Sequence, residues 1–231
     1  MNSPISYLLA VLTAVILATA GAAAAQTPPD ASEVAAYRGL HAAATAGDVA
    51  ALAALLREPV VLDARDGHGR TALHIAAHGG YRDFVRELGR AGAAMTAKDS
   101  RRYDIITIAA VRDDAAMVRL AISLGADPRA VTSPYDGTAL IAAAHLGHVD
   151  VVRALIAANA PLDHVNNLGW TAAIEAVILG DGGRRHQDTL AALIAAGANT
   201  QLADRDGVTP LEHARRRRFT AMVDMLSAAR R

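Results

Sequence analysis

The chain has no cysteine. Disulfides, thiolate metal sites, a cysteine nucleophile and a lipid-modified cysteine anchor are excluded. The redox compartment stays open, because oxidising surroundings permit disulfides without requiring them. Aromatic residues are scarce, at 3% with one tryptophan, although hydrophobic residues reach 52% of the 231 positions. Alanine supplies much of the rest. It is the best helix former, and small side chains let helices approach closely, so the composition describes stacked helices rather than a β-sandwich. Net charge is absent too, with 23 basic residues against 23 acidic ones. Nothing global draws the chain to nucleic acid or to an anionic membrane.

The longest uncharged run stands at the start. Residues 7–18 (YLLAVLTAVILA) have the length of a signal-peptide core, and Ala23-Ala24-Ala25 offers a small-x-small cleavage site before Gln26. The expectation is a cleaved signal peptide over 1–25, a short linker over 26–36 and a periplasmic or secreted mature protein. An uncleaved anchor is the alternative, since residues 5–25 suffice to span a bilayer core of about 30 Å. No Lys or Arg precedes the run. An exported protein meets no ATP, which argues against nucleotide-dependent chemistry.

The stretch RTALHIAAHGG, residues 70–80, organises the rest of the chain. Leu40-His41 and Leu73-His74 lie 33 positions apart, a period typical of stacked helical repeats. Further copies are Asp104-Ile105-Ile106-Thr107, Thr138-Ala139-Leu140-Ile141, Thr171-Ala172-Ala173-Ile174 and Thr209-Pro210-Leu211-Glu212. A small-residue landmark closes several helix pairs, as in Ala91-Gly92-Ala93 and Ala196-Gly197-Ala198, and a turn such as Asp204-Arg205-Asp206-Gly207 precedes several. Between landmarks apolar residues keep helical spacing, as in Val149, Val152, Leu155 and Ile156. Gly69, Gly169 and Gly207 suit a turn needing positive φ. Thr71, Thr138, Thr171 and Thr209 stand where a hydroxyl caps a helix, worth about 1 kcal/mol.

These residues resemble the ankyrin repeat, whose pattern D-x-x-G-x-T-P-L-H-x-A-A-x-x-G-H is matched closely by DGHGRTALHIAAHGG and by residues 133–160. The resemblance covers about 37–231. It implies an all-α fold: an ankyrin-repeat solenoid of about six helix–turn–helix repeats joined by short β-hairpin-like turns. The repeats fall at about 37–65, 66–98, 99–132, 133–165, 166–203 and 204–231. The third carries Asp104 for the capping threonine and Arg102 for the turn glycine. The fourth gains a residue before its turn. The fifth gains five between its helices: Thr171 to Gly197 is 26 steps, against 21 from Thr71 to Gly92. The extra residues lie in 180–187 (GDGGRRHQ), which reads as a flexible basic loop.

No catalytic motif is present: G-x-S-x-G, Walker A, H-E-x-x-H and EF-hand loops are all missing. His41 and His74 occupy the repeat's own histidine position, where the ring bonds backbone in the adjacent turn. His148 holds the ordinary G-H position, so His145 and His148 do not read as a metal pair. No catalytic residue, cofactor or metal is expected. The fifth-repeat cluster Glu175, Asp181, His186 and His145 supports an alternative reading as a small-ligand or enzymatic site, and a secreted effector acting on host proteins is a third. Residues 215–218 (RRRR) read as solvated charge at a helix end, because no aromatics interleave with them.

In ankyrin proteins the turn tips and inner helices form a face that grips other proteins. Mapped by register, the resemblance places Arg101, Arg102, Tyr103, Tyr135, His145 and Trp170 at the centre of such a face. Trp, Tyr and Arg are the types enriched in binding hot spots. The expected function is non-catalytic protein binding, as a periplasmic scaffold or regulator of another envelope protein. The expected partner is another protein, with no nucleic acid, no membrane insertion after signal cleavage and a monomeric chain.

Overall fold

The computed structural model describes residues 27–229. The expected signal peptide lies outside the described residues. Thirteen helices and no strand occur among those described, with one isolated antiparallel bridge between Val131 and Thr138. A short helix, α1 (Ala31–Ala36), precedes six pairs. The inner helices are α2 (Gly39–Ala46), α4 (Ala72–Gly79), α6 (Ile105–Val111), α8 (Ala139–Leu146), α10 (Ala172–Ile178) and α12 (Pro210–Arg216). The outer helices are α3 (Val49–Leu55), α5 (Arg82–Arg90), α7 (Ala115–Ser123), α9 (Val149–Ala157), α11 (Arg184–Ala195) and α13 (Thr220–Ala228). Each inner helix packs on the next inner helix, each outer helix on the next outer one, and the two layers close over one core.

Alanine explains the close inner layer. Ala76, Ala109, Ala110, Ala143, Ala144 and Ala176 are fully buried, so neighbouring helices nearly touch along their backbones. The larger aliphatics seal the space between layers: Leu52, Phe84, Leu88, Ile105, Met117, Leu155 and Leu190 lose all contact with solvent. Each such burial contributes roughly 1.5–3 kcal/mol before entropy is counted. No repeat buries these faces alone, so stability resides in the interfaces.

The linker expected at 26–36 is instead structured from Asp30 onward. Asp30 Oδ1 accepts from the Glu33 amide at 2.8 Å, and Glu33 Oε2 accepts from the Asp30 amide at 2.8 Å, a reciprocal capping box that starts α1. The segment then docks on the second repeat through Arg70. This guanidinium donates to Glu33 Oε1 at 2.6 Å, to the Thr27 carbonyl at 3.1 Å and to Asp66 Oδ2 at 2.6 Å.

The fifth-repeat insertion is also not a flexible loop. Arg184, Arg185, His186 and Gln187 form the first turn of α11, which reaches 12 residues where α5, α7, α9 and α13 have 9. The added length becomes helix because it finds acceptors: Arg185 donates to the Gly147 carbonyl at 3.2 Å and to Asp113 Oδ2 at 2.8 Å, two repeats away.

Candidate protein-binding face

One device builds every tip. In repeats two to six, the fifth residue before the inner-helix cap offers a side-chain oxygen that accepts the amides two and four residues on. Asp66 Oδ1 holds His68 and Arg70, Asp99 Oδ1 holds Arg101 and Tyr103, and Ser133 Oγ holds Tyr135 and Gly137. Asn166 Oδ1 holds Leu168 and Trp170, and Asp204 Oδ1 holds Asp206 and Val208. Short polar side chains that bond local backbone suit this position. A backbone bond closes each turn, as from Asp99 N to the Tyr103 carbonyl at 2.9 Å; the fourth tip closes from Thr132 N to Gly137 O, one residue wider, as its added residue requires.

The tips are stitched to each other and to the helices. His41 Nε2 reaches the Arg70 carbonyl at 3.2 Å, and His74 Nε2 reaches that of Tyr103 at 3.2 Å. His74 Nδ1 accepts from the Thr71 amide at 3.1 Å, so the ring is the neutral Nε2–H tautomer. Burial, opposed by Asp99 and the Tyr103 carbonyl, pushes its pKa below the ordinary histidine value. His164 Nε2 bonds the Asp136 carbonyl at 2.6 Å, and the Asn167 amide donates to the Tyr135 carbonyl at 2.8 Å.

This geometry sorts the six expected contact residues. The position just before the cap points inward: Arg70, Tyr103 and Val208 are all buried there, and Trp170 is half-buried. Tyr103, expected at the exposed tip, is a core residue at 4% exposure. Burial, then the neighbouring Tyr135, push its hydroxyl up to about 12. The outward position is two residues earlier, where His68, Arg101, Tyr135, Leu168 and Asp206 are all exposed. Tyr135 is 42% and Leu168 39% exposed, on the fourth and fifth tips. Leu168 was missed by sequence reasoning, although its register with Tyr135 and Arg101 was available.

Arg101 and Arg102 are exposed on the third tip, and Arg102 Nη1 donates to Asp136 Oδ1 at 2.8 Å. His145 does not join the tip row. It sits in the last turn of α8, where Nδ1 lies 3.3 Å from Glu175 Oε2, while Asn166 Nδ2 donates to Glu175 Oε1 at 2.8 Å. Glu175 is therefore satisfied between two neighbours. Asp181 and His186 pair with Oδ1 and Nδ1 at 2.9 Å, and His186 Nε2 lies 2.9 Å from the His145 carbonyl oxygen. The four residues of the enzymatic alternative thus form two pairs engaged within the fold. Among the described residues, no group of three His, Asp or Glu is placed to hold a metal ion, and no helix is long and apolar enough to cross a membrane.

The four arginines of 215–218 divide. Arg217 is exposed yet also bound: it donates to the carbonyls of Ile178 at 2.6 Å and Gly180 at 3.0 Å, capping α10, and its guanidinium lies 4.8 Å from the Phe219 ring centre. Arg215, Arg216 and Arg218 are exposed.

A double layer of helix pairs, capped and tipped in register, defines a repeat solenoid. The family model for ankyrin repeats (3 copies) matches residues 17–99 and 106–204, and the chain belongs to the ankyrin repeat family. It is similar to the putative ankyrin repeat protein YahD of Escherichia coli K12, 32% identical over 188 residues that cover 81% of this chain and 93% of that protein. It is also similar to the crystal structure of an ankyrin repeat domain from Acinetobacter baumannii, at 43% identity and TM-score 0.79, covering 82% and 96% of the two chains. The ankyrin repeat domain of Bcl-3, a member of the IkappaB family, matches at 25% identity and TM-score 0.76 over 84% and 86%. Ankyrin repeats are protein–protein interaction modules.

Proposed function

We propose that this chain is a non-catalytic scaffold or regulator of another envelope protein, exported by its N-terminal segment, and that it grips its partner along the tips of repeats three to five. The observation that carries the site is that Tyr135 and Leu168 are both exposed, on neighbouring tips joined by the Asn167 amide. A large apolar pair held on rigid backbone loses little entropy on binding. Trp170, half-buried beneath it, and Arg101 and Arg102 beside it complete the contact.

The test is a photo-crosslinking residue placed at Tyr135 or Leu168 of the full chain in its native cell, with Arg119 on the outer layer as control. Recovery of one envelope protein from both tip probes and not from Arg119 supports the proposal. Equal recovery from tip and control probes, or recovery unchanged when the other tip residue is alanine, overturns the site. Fractionation of the same cells tests the location: a cytoplasmic mature chain overturns the envelope assignment.

A further inference from the structure

The inner helix of the second repeat ends among three polar side chains that have no hydrogen-bond partner among the described residues. His78, in the last turn of α4, is 9% exposed, and neither ring nitrogen is bonded. Burying such a group is costly unless something bonds it. The Arg112 side chain, from the end of α6, reaches back across the repeat boundary. Its Nη2 lies 4.0 Å from where a Cβ on Gly80 would stand, and it is exposed and unpaired. The Tyr81 ring fills the space beside Gly79, its hydroxyl-bearing carbon 2.9 Å from where a Cβ there would stand. At the same register in the fourth repeat, His148 bonds the Ala110 carbonyl at 2.8 Å, whereas the Tyr81 hydroxyl bonds nothing described.

The charge around these side chains is one-sided. The acids next to Arg112 are taken by other arginines: Asp113 accepts from Arg185 at 2.8 Å, and Asp114 from Arg82 at 2.7 Å. Asp48, one repeat before Tyr81 in register, accepts the Ala51 amide at 2.8 Å. Arg112 is therefore the unbalanced charge. Burial first, then Arg112, His74 and Arg70, push the His78 pKa down to about 4, and no acid opposes them. At neutral pH the ring is neutral, and with neither nitrogen committed it can present an N–H in either tautomer. The carbonyls of Ala76 and Ala77 that end α4 already accept the Tyr81 and Gly80 amides, so they do not claim these donors.

The fourth repeat shows what a histidine at this register takes. His145 holds the position of His78, and its Nδ1 lies 3.3 Å from Glu175 Oε2 on the next inner helix. For His78 the residue at the register of Glu175 is Ile108, a fully buried apolar side chain. The same ring thus stands beside an unpaired arginine, with no carboxylate from the fold.

We propose that His78, Arg112 and Tyr81 form a carboxylate-binding site whose occupant is an acidic side chain of the protein partner. The planar guanidinium offers parallel N–H groups to both carboxylate oxygens, and the imidazole and the phenol add donors. One unbalanced positive charge matches a carboxylate better than a dianionic phosphate. The site rests on the reading of the chain as a protein-binding module. It lies at the end of the inner helices opposite the tips, so it adds a polar anchor to the apolar contact at Tyr135 and Leu168.

The test titrates the full mature chain with an end-blocked triglutamate peptide and follows the Arg112 Nε–H, the His78 ring and the Gly79 and Gly80 amides by NMR. Saturable shifts are expected, and none with the triglutamine peptide. Arg112→Gln should weaken binding about tenfold and Tyr81→Phe about threefold, each with an unchanged urea midpoint, while Arg119→Gln binds normally. No saturable shift, equal shifts from triglutamine, or an affinity unmoved in Arg112→Gln overturns the site. Inorganic phosphate binding as tightly as the peptide overturns the partner's carboxylate as its occupant. In the native cell, capture from the Tyr135 probe should fall in Arg112→Gln. Undiminished capture overturns this inference alone. No capture even by the unaltered chain overturns the protein-binding reading instead, and the peptide titration still decides whether the site takes a carboxylate.

Discussion

His213 Nε2 stands 2.7 Å from Asp204 Oδ2, and one repeat earlier the same two positions hold Glu175 and Asn166, joined from Nδ2 to Oε1 at 2.8 Å. The brace is retained in place and reversed in polarity. In the sixth repeat the tip residue is the acid and the helix residue the base. In the fifth the helix residue is the acid, so the tip residue must donate. It must also accept two backbone amides, as its counterparts do. Asparagine does both at once, with Oδ1 on the amides and Nδ2 on the carboxylate, which aspartate cannot.

Asn166→Asp should therefore be costly. It sets two buried carboxylates against each other and removes the donor from Glu175. Chemical denaturation at neutral pH should show a loss of about 2–4 kcal/mol, shrinking as acid lets the pair share a proton. Adding Glu175→His rebuilds the sixth-repeat arrangement and should recover more than half the loss. Additive losses in the double variant would refute the brace.

Two neighbouring tips carry non-glycine residues in the left-handed region: Arg102 at φ 70° and Asp136 at φ 53°, at the position where Gly69, Gly169 and Gly207 stand in other repeats. The ion pair between them is half-exposed, worth about 0–1 kcal/mol. Left-handed backbone costs a side chain roughly 1–2 kcal/mol. Arg102→Gly should raise stability by about 0.5–1 kcal/mol, measured as a higher urea midpoint with unchanged slope. Gly69→Ala should do the opposite, because its Cβ would meet Ser100 N at 2.9 Å on backbone at φ 71°.

Acid should unfold the chain in two windows. Burial, then Arg112 and His74, hold His78 down at about 4, from 6.5, and burial lowers His74 as well. Between those values the unfolded chain binds protons that the folded chain refuses. Stability therefore falls as pH drops from about 6.5 to 4, by up to about 3 kcal/mol for His78. Lower down, burial pushes Asp66 up, but Tyr37, Arg70 and two backbone amides outweigh it and hold it at about 2, against 3.8. That stability is present above 3.8 and is lost as pH falls toward 2. Denaturant midpoints across pH should show both declines. His78→Gln should flatten the upper window alone, and Arg70→Met the lower.

The repeat and its helices were legible because each landmark has a local cause: a cap, a left-handed glycine, an alanine at a helix crossing. The capping box of Asp30 and Glu33 was equally local and lay in plain view within the segment read as linker. What sequence could not show was direction. Arg70, Tyr103, Trp170 and Val208 share a register, and only the fold reveals that this register faces the core while that of Tyr135 and Leu168 faces out. The insertion failed for a different reason. Nothing in GDGGRRHQ announces that its acceptors lie on Gly147, His145 and Asp113, up to 72 residues away.

The distinction between the two tyrosines can be measured directly. Tyr103 is in the hydrophobic core, and its carbonyl accepts both His74 and Asp99. Tyr103→Ala should cost about 3–5 kcal/mol, because it empties a filled site in the core. Tyr135→Ala removes a side chain that is 42% exposed and should leave stability within about 0.5 kcal/mol. Spectroscopic titration separates them again: Tyr103 should ionise near 12, and Tyr103→Phe should remove that late step without unfolding the chain. If Tyr135 were instead a brace for the tips, its alanine variant would lose stability on the scale of Tyr103→Ala. A folded Tyr135→Ala that no longer captures the partner, beside a Tyr103→Phe that captures it normally, places binding on the outward row.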